Sequence, residues 1–156
     1  MSLLSRLGFN PPVVDENLVA LRKHSLFQDI SDRDFVKFAR LLNERKYETG
    51  EVIYRKNFPQ SVLFLVVKGH VELHREESLD SPIIGSADDN TYLGITELLS
   101  GTSRAESAIA RTEVVLFAIS IRDFTRYLEQ YPSVGVRLMA NLARELSRRL
   151  EREEVA

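Results

Sequence analysis

Few side chains in this sequence are of types, and at spacings, that do chemistry. Three histidines stand at positions 24, 70 and 74. His70 and His74 are four apart on an alternating stretch, so they share one face of a strand. A metal centre needs three or four suitable ligands, and no third presents itself. A metal-dependent enzyme on a cupin-like roll would rest on these two residues alone. They read instead as polar residues on a wet face, and His24 reads as a helix C-terminal residue favoured by the dipole. Asp88 and Asp89 are adjacent in a polar loop, where neighbours point apart, so no carboxylate pair for acid–base work is expected. The seven glycines, at 8, 50, 69, 85, 94, 101 and 135, include no two that are two or five apart. That excludes Gly-x-Gly dinucleotide loops and the Walker A loop. Gly-x-Ser-x-Gly is absent as well. With no cysteine, disulfides, thiol nucleophiles and Cys-ligated zinc are also excluded. The chain is not expected to be an enzyme.

The segment from Tyr92 to Ala108 differs in character. A short helical turn, about Thr96 to Ser100, ends at Gly101 in a plausible C′ position. The start of a helix offers free N–H groups and the positive end of its dipole to an anion. Arg104 closes the other side with a fork that suits phosphate. The segment reads as a small phosphate cradle.

Other elements must hold that cradle in place. The 156 residues suit one domain, with a net charge of −2 and 44% apolar residues. Residues 1–19 read as an N-terminal arm, Met1 to Pro12, and a helix start. Val14, Leu18 and Leu21 have helical spacing. Ser31 with Asp34 forms a capping box, and Ile30 with Phe35 a hydrophobic staple. Phe35, Phe38, Ala39 and Leu42 then bury one face. From Lys46 the period becomes two. Strands are expected at Glu51–Tyr54, Val62–Val67, His70–His74, Ile83–Ile84, Ser107–Arg111 and Glu113–Ile119. The second and third are expected to pair as a hairpin through Lys68-Gly69. Ser120 with Asp123 repeats the capping box before a helix. Tyr131-Pro132 breaks that helix, and Ser133 is expected to cap a last one running to about Arg152. The fold class is therefore α+β: an antiparallel, jelly-roll-like β-roll over 20–130, flanked by N-terminal helices and a C-terminal helix pair, with the long helix in 131–156.

Charge narrows the partners. Arg144, Arg148, Arg149 and Arg152 interleave with Glu145, Glu151, Glu153 and Glu154, so nucleic-acid contact there is not expected. No apolar stretch approaches the ~20 residues of a membrane span. The missing cysteines fit a cytoplasmic setting.

The sequence resembles the cyclic-nucleotide-binding domain family, which includes the regulatory subunits of cyclic-AMP-dependent kinase and the catabolite activators. Leu93-Gly94, Leu98-Leu99, Gly101, Arg104-Ala105 and Ser107 match its phosphate-binding cassette in order and spacing. His24 to Ser31, Tyr47 to Ile53, Leu63 to Leu73 and Ser120 to Arg152 match its surrounding pieces, so roughly residues 20 to 152 are covered. The resemblance implies a regulatory module that binds cyclic AMP, cyclic GMP or a related phosphorylated ligand. Its output would come from moving the C-terminal helices, and no cofactor is required. The implied binding residues are Leu93, Gly94, Ile95, Thr96, Glu97, Arg104, Ala105 and Ser107.

One position departs from the pattern. The cassette's Glu, which accepts from the ribose 2′-hydroxyl, is Ile95 here. A buried hydroxyl left unpaired costs about 1–3 kcal/mol, so Ile95→Glu is expected to strengthen cyclic-AMP binding. Glu97 offers a carboxylate two residues on, but positions i and i+2 of a helix face different ways. The alternative is a degenerate module that binds no nucleotide and acts through protein contacts. Met139, Leu142 and Leu146 suggest a short homodimer seam within 134–152, which Arg149 then interrupts. Ending at Ala156, the chain has no room for a helix-turn-helix after the long helix. A stand-alone sensor working through an effector protein, without direct DNA binding, is the expectation.

Overall fold

The computed structural model describes residues 15–59, 62–78 and 80–155. The expected Met1–Pro12 arm and Val14 lie outside them. Helix α1 spans Glu16–Arg22, and Asp15 caps it by accepting from the N–H groups of Asn17 and Leu18. A 3-10 turn follows at Ser25–Phe27. Helix α2 is Asp32–Ala39, with Ser31 as its cap. Ser31 Oγ accepts from the Asp34 N–H at 3.1 Å and donates to the Asp34 carboxylate at 2.9 Å. Ser120 and Asp123 repeat this at the start of α4, Ile121–Gln130, at 3.0 and 2.8 Å. The carboxylate of each box thus takes the cap hydroxyl rather than the cap N–H.

Eight strands form two antiparallel four-stranded sheets. One holds β1 (Asn43–Tyr47), β8 (Val114–Ser120), β3 (Val62–Lys68) and β6 (Thr91–Leu93), in that order. The other holds β2 (Val52–Tyr54), β7 (Ser107–Ala110), β4 (Val71–His74) and β5 (Ile83–Ala87). This is the jelly-roll-like architecture expected. The hairpin expectation is wrong, because β3 pairs with β8 and β6, whereas β4 pairs with β5 and β7. Gly69 is where the chain changes sheets. Its φ is +104°, and a Cβ there would lie 2.3 Å from the Glu113 carbonyl oxygen. The turn is pinned against the entry to β8, and the chain crosses over instead of folding back.

The crossing explains the unbroken apolar run of β3. Leu63, Leu65 and Val67 face a core shared with the helices, while Phe64 and Val66 face the interior between the sheets. A strand covered on both faces loses its alternation. Two strands had no such signal. The residues of β1 are Asn-Glu-Arg-Lys-Tyr, nearly all exposed at a sheet edge, where charge guards against unwanted pairing. β6 has only three residues.

Two histidine readings need correction. His74 is fully buried. The register shifts between Leu73 and His74, and its ring lies between the Glu72 carboxylate and the Ser81 carbonyl, both at 3.1 Å. His24 is also buried and caps the 3-10 turn, accepting from the Leu26 N–H at 3.3 Å. Its Nε2 then donates to the Thr91 carbonyl at 2.9 Å. Burial pushes its pKa down to about 4, so it is a neutral staple and not a dipole-favoured cation.

Helix α5 spans Pro132–Val155. Pro132 occupies the first turn, where its missing N–H loses nothing, so Ser133 is not the cap. Helices α4 and α5 approach closely at Gly135, where a Cβ would meet the Leu128 backbone at 3.2 Å. The proposed dimer seam is misplaced. Leu142 is fully buried in the helix-side core, and Met139 and Leu146 pack against it.

Candidate ligand-binding site

Helix α3 occupies Ile95–Ser100 and starts after Gly94, whose φ of +90° is left-handed. Gly101, at φ +70°, ends it and donates its N–H to the Glu97 carbonyl at 2.8 Å. The expected helical turn and its glycine stop are both present.

A cleft of about 880 Å³ opens between this segment, the roll and α5. The cassette gives it Leu93, Gly94, Thr96, Glu97, Ala105 and Glu106. The roll contributes Tyr54, Leu73 and the 84–88 stretch, and α5 adds Glu145, Leu146, Arg149, Leu150, Arg152 and Glu153. Five of the eight residues expected to bind ligand therefore meet at one surface. The other three are placed differently. Ile95 is fully buried in the helix-side core. Ser107 is buried on β7, and its Oγ accepts from the Lys56 N–H at 2.9 Å.

Arg104 is 3% exposed and lines a neighbouring cavity of about 310 Å³, with Tyr54 as the wall common to both spaces. Its guanidinium carbon lies 4.0 Å from the Tyr54 ring centroid and 5.5 Å from that of Phe64. Nη2 donates to the Val62 carbonyl at 2.8 Å. Nη1 is buried and has no hydrogen-bond partner among the described residues. A buried donor without an acceptor is unfavourable by about 1–3 kcal/mol, and an anion entering beside it removes that penalty.

The different facing of positions i and i+2 leaves Glu97, the carboxylate two residues on, on the cleft side. Ile95 and Glu97 do face different ways, but Glu97 lines the cleft while Ile95 faces the core. The carboxylate that lines the cleft stands two residues on from the Ile95 position. Ile95→Glu would drive a charge into the apolar core, so, contrary to the expectation from the cassette pattern, it does not place an acceptor at the cleft.

The motif did not single out Tyr54, Glu106 and Arg149. Tyr54 donates its hydroxyl to the Glu106 carboxylate at 2.9 Å. Burial raises the Glu106 pKa, the Tyr54 hydrogen bond opposes this, and the Glu97 charge adds to it. Burial likewise lifts the Tyr54 phenol well above its usual range. The Arg104 pKa is lowered by burial, against the pull of Tyr54, Glu97 and Glu106. Glu106 sits inside the motif between Ala105 and Ser107. Arg149 is the residue that breaks the apolar spacing of α5. Both signals were available in the sequence.

The model for the cyclic nucleotide-binding domain matches residues 44–131, more than half of the chain. The chain belongs to the cyclic nucleotide-binding domain family. Among curated proteins it is 29% identical over 132 residues to Glutaminase 1 of Bradyrhizobium diazoefficiens, covering 83% of this chain and 21% of that protein. The chain thus spans about a fifth of that relative's length. Among solved structures, the N-terminal domain of a transcriptional regulator from Streptomyces coelicolor is 25% identical, with a TM-score of 0.69. The alignment covers 86% of this chain and 94% of that one. A cyclic nucleotide-binding domain from Methylobacillus flagellatus has a TM-score of 0.75 at 18% identity, covering 88% and 78% of the two chains. At that identity the likeness is one of fold.

Proposed function

We propose that the chain is a non-catalytic, cytoplasmic sensor that binds cyclic AMP or cyclic GMP in the cleft between α3 and α5. It signals to an effector protein by shifting the outer part of α5. The observation that carries this reading is the buried Arg104, with one nitrogen unpartnered, in a cavity that shares Tyr54 with a cleft lined by the cassette residues Gly94, Thr96, Glu97 and Ala105. Glu97 supplies the hydroxyl acceptor that Ile95 does not. An anion drawn toward Arg104 gains charge-assisted hydrogen bonds, the stronger kind.

The geometry supports the signalling step as well. The cleft-facing residues of α5 run from Glu145 to Glu153. One turn earlier, Asn141 ties the helix down by donating to the Leu26 and Gln28 carbonyls at 2.8 and 2.9 Å. A ligand therefore touches the outer part of a helix whose inner part is anchored. Among the described residues no helix is long and apolar enough to cross a membrane.

Calorimetry with cyclic AMP and cyclic GMP tests the reading. Wild type is expected to bind at least one of them, and Arg104→Ala to weaken that binding ten- to a hundredfold, the worth of charged hydrogen bonds. Equal affinities for the two proteins would overturn it.

A second reading has its own support. Val136 and Leu150 of α5 are 70% and 60% exposed, as on a helix that docks against another protein or a second copy. Light scattering of wild type and a Val136→Glu, Leu150→Glu variant separates a protein-contact module, which changes its assembly, from a pure ligand sensor, which does not.

A further inference from the structure

Charge on α5 is sorted by face. Arg137, Arg144 and Arg148 follow at i, i+7 and i+11, which 3.6 residues per turn set within about 40° of one another. Glu145, next to Arg144 in sequence, is buried and lines the cleft instead. Alternation in sequence therefore does not cancel the charge of this face. Two cavities of about 470 and 480 Å³ open beside it, with Gln28 and Asp29 as the wall common to both. Arg22, Lys23 and Arg148 line the first, and Arg137 and Arg144 line the second. Five cations thus face one carboxylate, that of Asp29. The ligand cleft has the opposite balance, with Asp88, Glu97, Glu106, Glu145 and Glu153 against Arg149 and Arg152. We propose that the basic surface docks an acidic segment of a partner protein, whose Asp and Glu side chains enter the two cavities on either side of Gln28 and Asp29.

Uncharged groups hold most of these cations in place. Arg137 Nη1 donates to the Asp29 carbonyl at 3.1 Å, and Arg144 Nη1 donates to Asn141 Oδ1 at 2.6 Å. Arg22 donates to the Phe27 and Ile30 carbonyls at 3.3 and 2.9 Å. Such acceptors fix a guanidinium without neutralising it, and its remaining donors suit a carboxylate. Among the described residues Lys23, Arg137 and Arg144 pair with no carboxylate. Arg22 pairs with Asp32, which is 91% exposed, and Arg148 lies 3.5 Å from Glu145. Exposed pairs of that kind exchange partners at little cost. The cavities also distinguish an acidic protein segment from a nucleic acid. Phe27 is the one aromatic carbocycle in their walls and is 1% exposed, so bases find nothing to stack on. Asn141 lines the second cavity, so the surface lies on the anchored part of α5. The proposal goes beyond the ligand reading and needs no nucleotide.

Fluorescence anisotropy of a labelled oligoglutamate peptide with the full chain tests this, at about 0.15 M salt, where distant charges are screened. Wild type is expected to bind. Arg137→Glu with Arg144→Glu should weaken binding about tenfold or more, the worth of charged hydrogen bonds. Arg122→Glu with Arg126→Glu makes the same charge change at exposed positions of α4 that line neither cavity. It should leave the affinity within about threefold, because only screened, long-range attraction changes. Asp29→Asn removes the opposing carboxylate and keeps the left-handed backbone at φ +59°, which Asn also adopts. It should tighten binding about two- to fivefold, a gain that misfolding cannot produce. No binding by wild type, equal losses in the two double variants, or no gain in Asp29→Asn overturns the proposal. Tighter binding of an oligothymidylate of equal length, lost in Arg137→Glu with Arg144→Glu, assigns the surface to nucleic acid and overturns it as well. Nucleotide calorimetry on the same proteins reads the cleft separately, so failure here and failure of the ligand reading are distinct.

Discussion

Two polar regions flank α5, and they are finished to different degrees. At the junction of the 3-10 turn, β6 and α5, the buried polar groups have partners. His24 bridges Leu26 and Thr91, Ser25 Oγ meets the Tyr92 hydroxyl at 2.8 Å, and Asn141 takes two carbonyls. At the cassette, Arg104 keeps an unpartnered buried nitrogen, and two carboxylates share its neighbourhood. A completed network holds one geometry, and an incomplete one leaves donors for a ligand. On the proposed reading the junction serves stability and the cassette serves binding.

The largest way to break this contrast is Ile95→Glu. The position belongs to the core even though it lies in the cassette, so burying a carboxylate there should cost about 3–5 kcal/mol. Denaturant unfolding should show the loss, and a variant as stable as wild type would place Ile95 on the ligand side. Asn141→Ala strands two carbonyls at the junction and should destabilise by about 2–4 kcal/mol, at about 1–2 for each. A loss below about 1 kcal/mol would mean that the junction is not the anchor of α5.

The junction also has a pH signature. His24 has a folded pKa of about 4 against an unfolded value of 6.5. The unfolded chain therefore binds the proton first as pH falls. Stability from this group is fully present above pH 6.5 and is lost progressively down to about pH 4, by about 3 kcal/mol in all. Unfolding at a series of pH values should show this decline, and His24→Gln should flatten it. The smallest effect is expected at the cassette. Arg104→Ala removes ring contacts and one carbonyl bond but also an unmet donor, so its stability should stay within about 1 kcal/mol of wild type. A larger loss would make Arg104 a structural residue rather than a binding one.

Much of the frame was legible because its signals are local. The two Ser-x-x-Asp caps, the Gly101 stop and the Pro132 break each act within a few residues. Sheet pairing is not local. Nothing in Lys68-Gly69 says that the chain crosses to the other sheet, because the strands that β3 and β4 pair with, β8 and β7, lie far along the chain. The same holds for His24 and His74, whose burial comes from Thr91 and from the loop at Ser81. In the cassette the order of residues was readable, but which of Ile95 and Glu97 faces the cleft depended on where the helix docks. Arg149 was visible only as a break in a pattern.

Amide hydrogen exchange with and without a saturating cyclic nucleotide tests the contrast most directly. The account predicts new protection at residues 94–106 and along α5 from 145 to 153, with the junction at 24–28 already protected and unchanged. Protection confined to other surfaces, or none at all with either cyclic AMP or cyclic GMP, would contradict it.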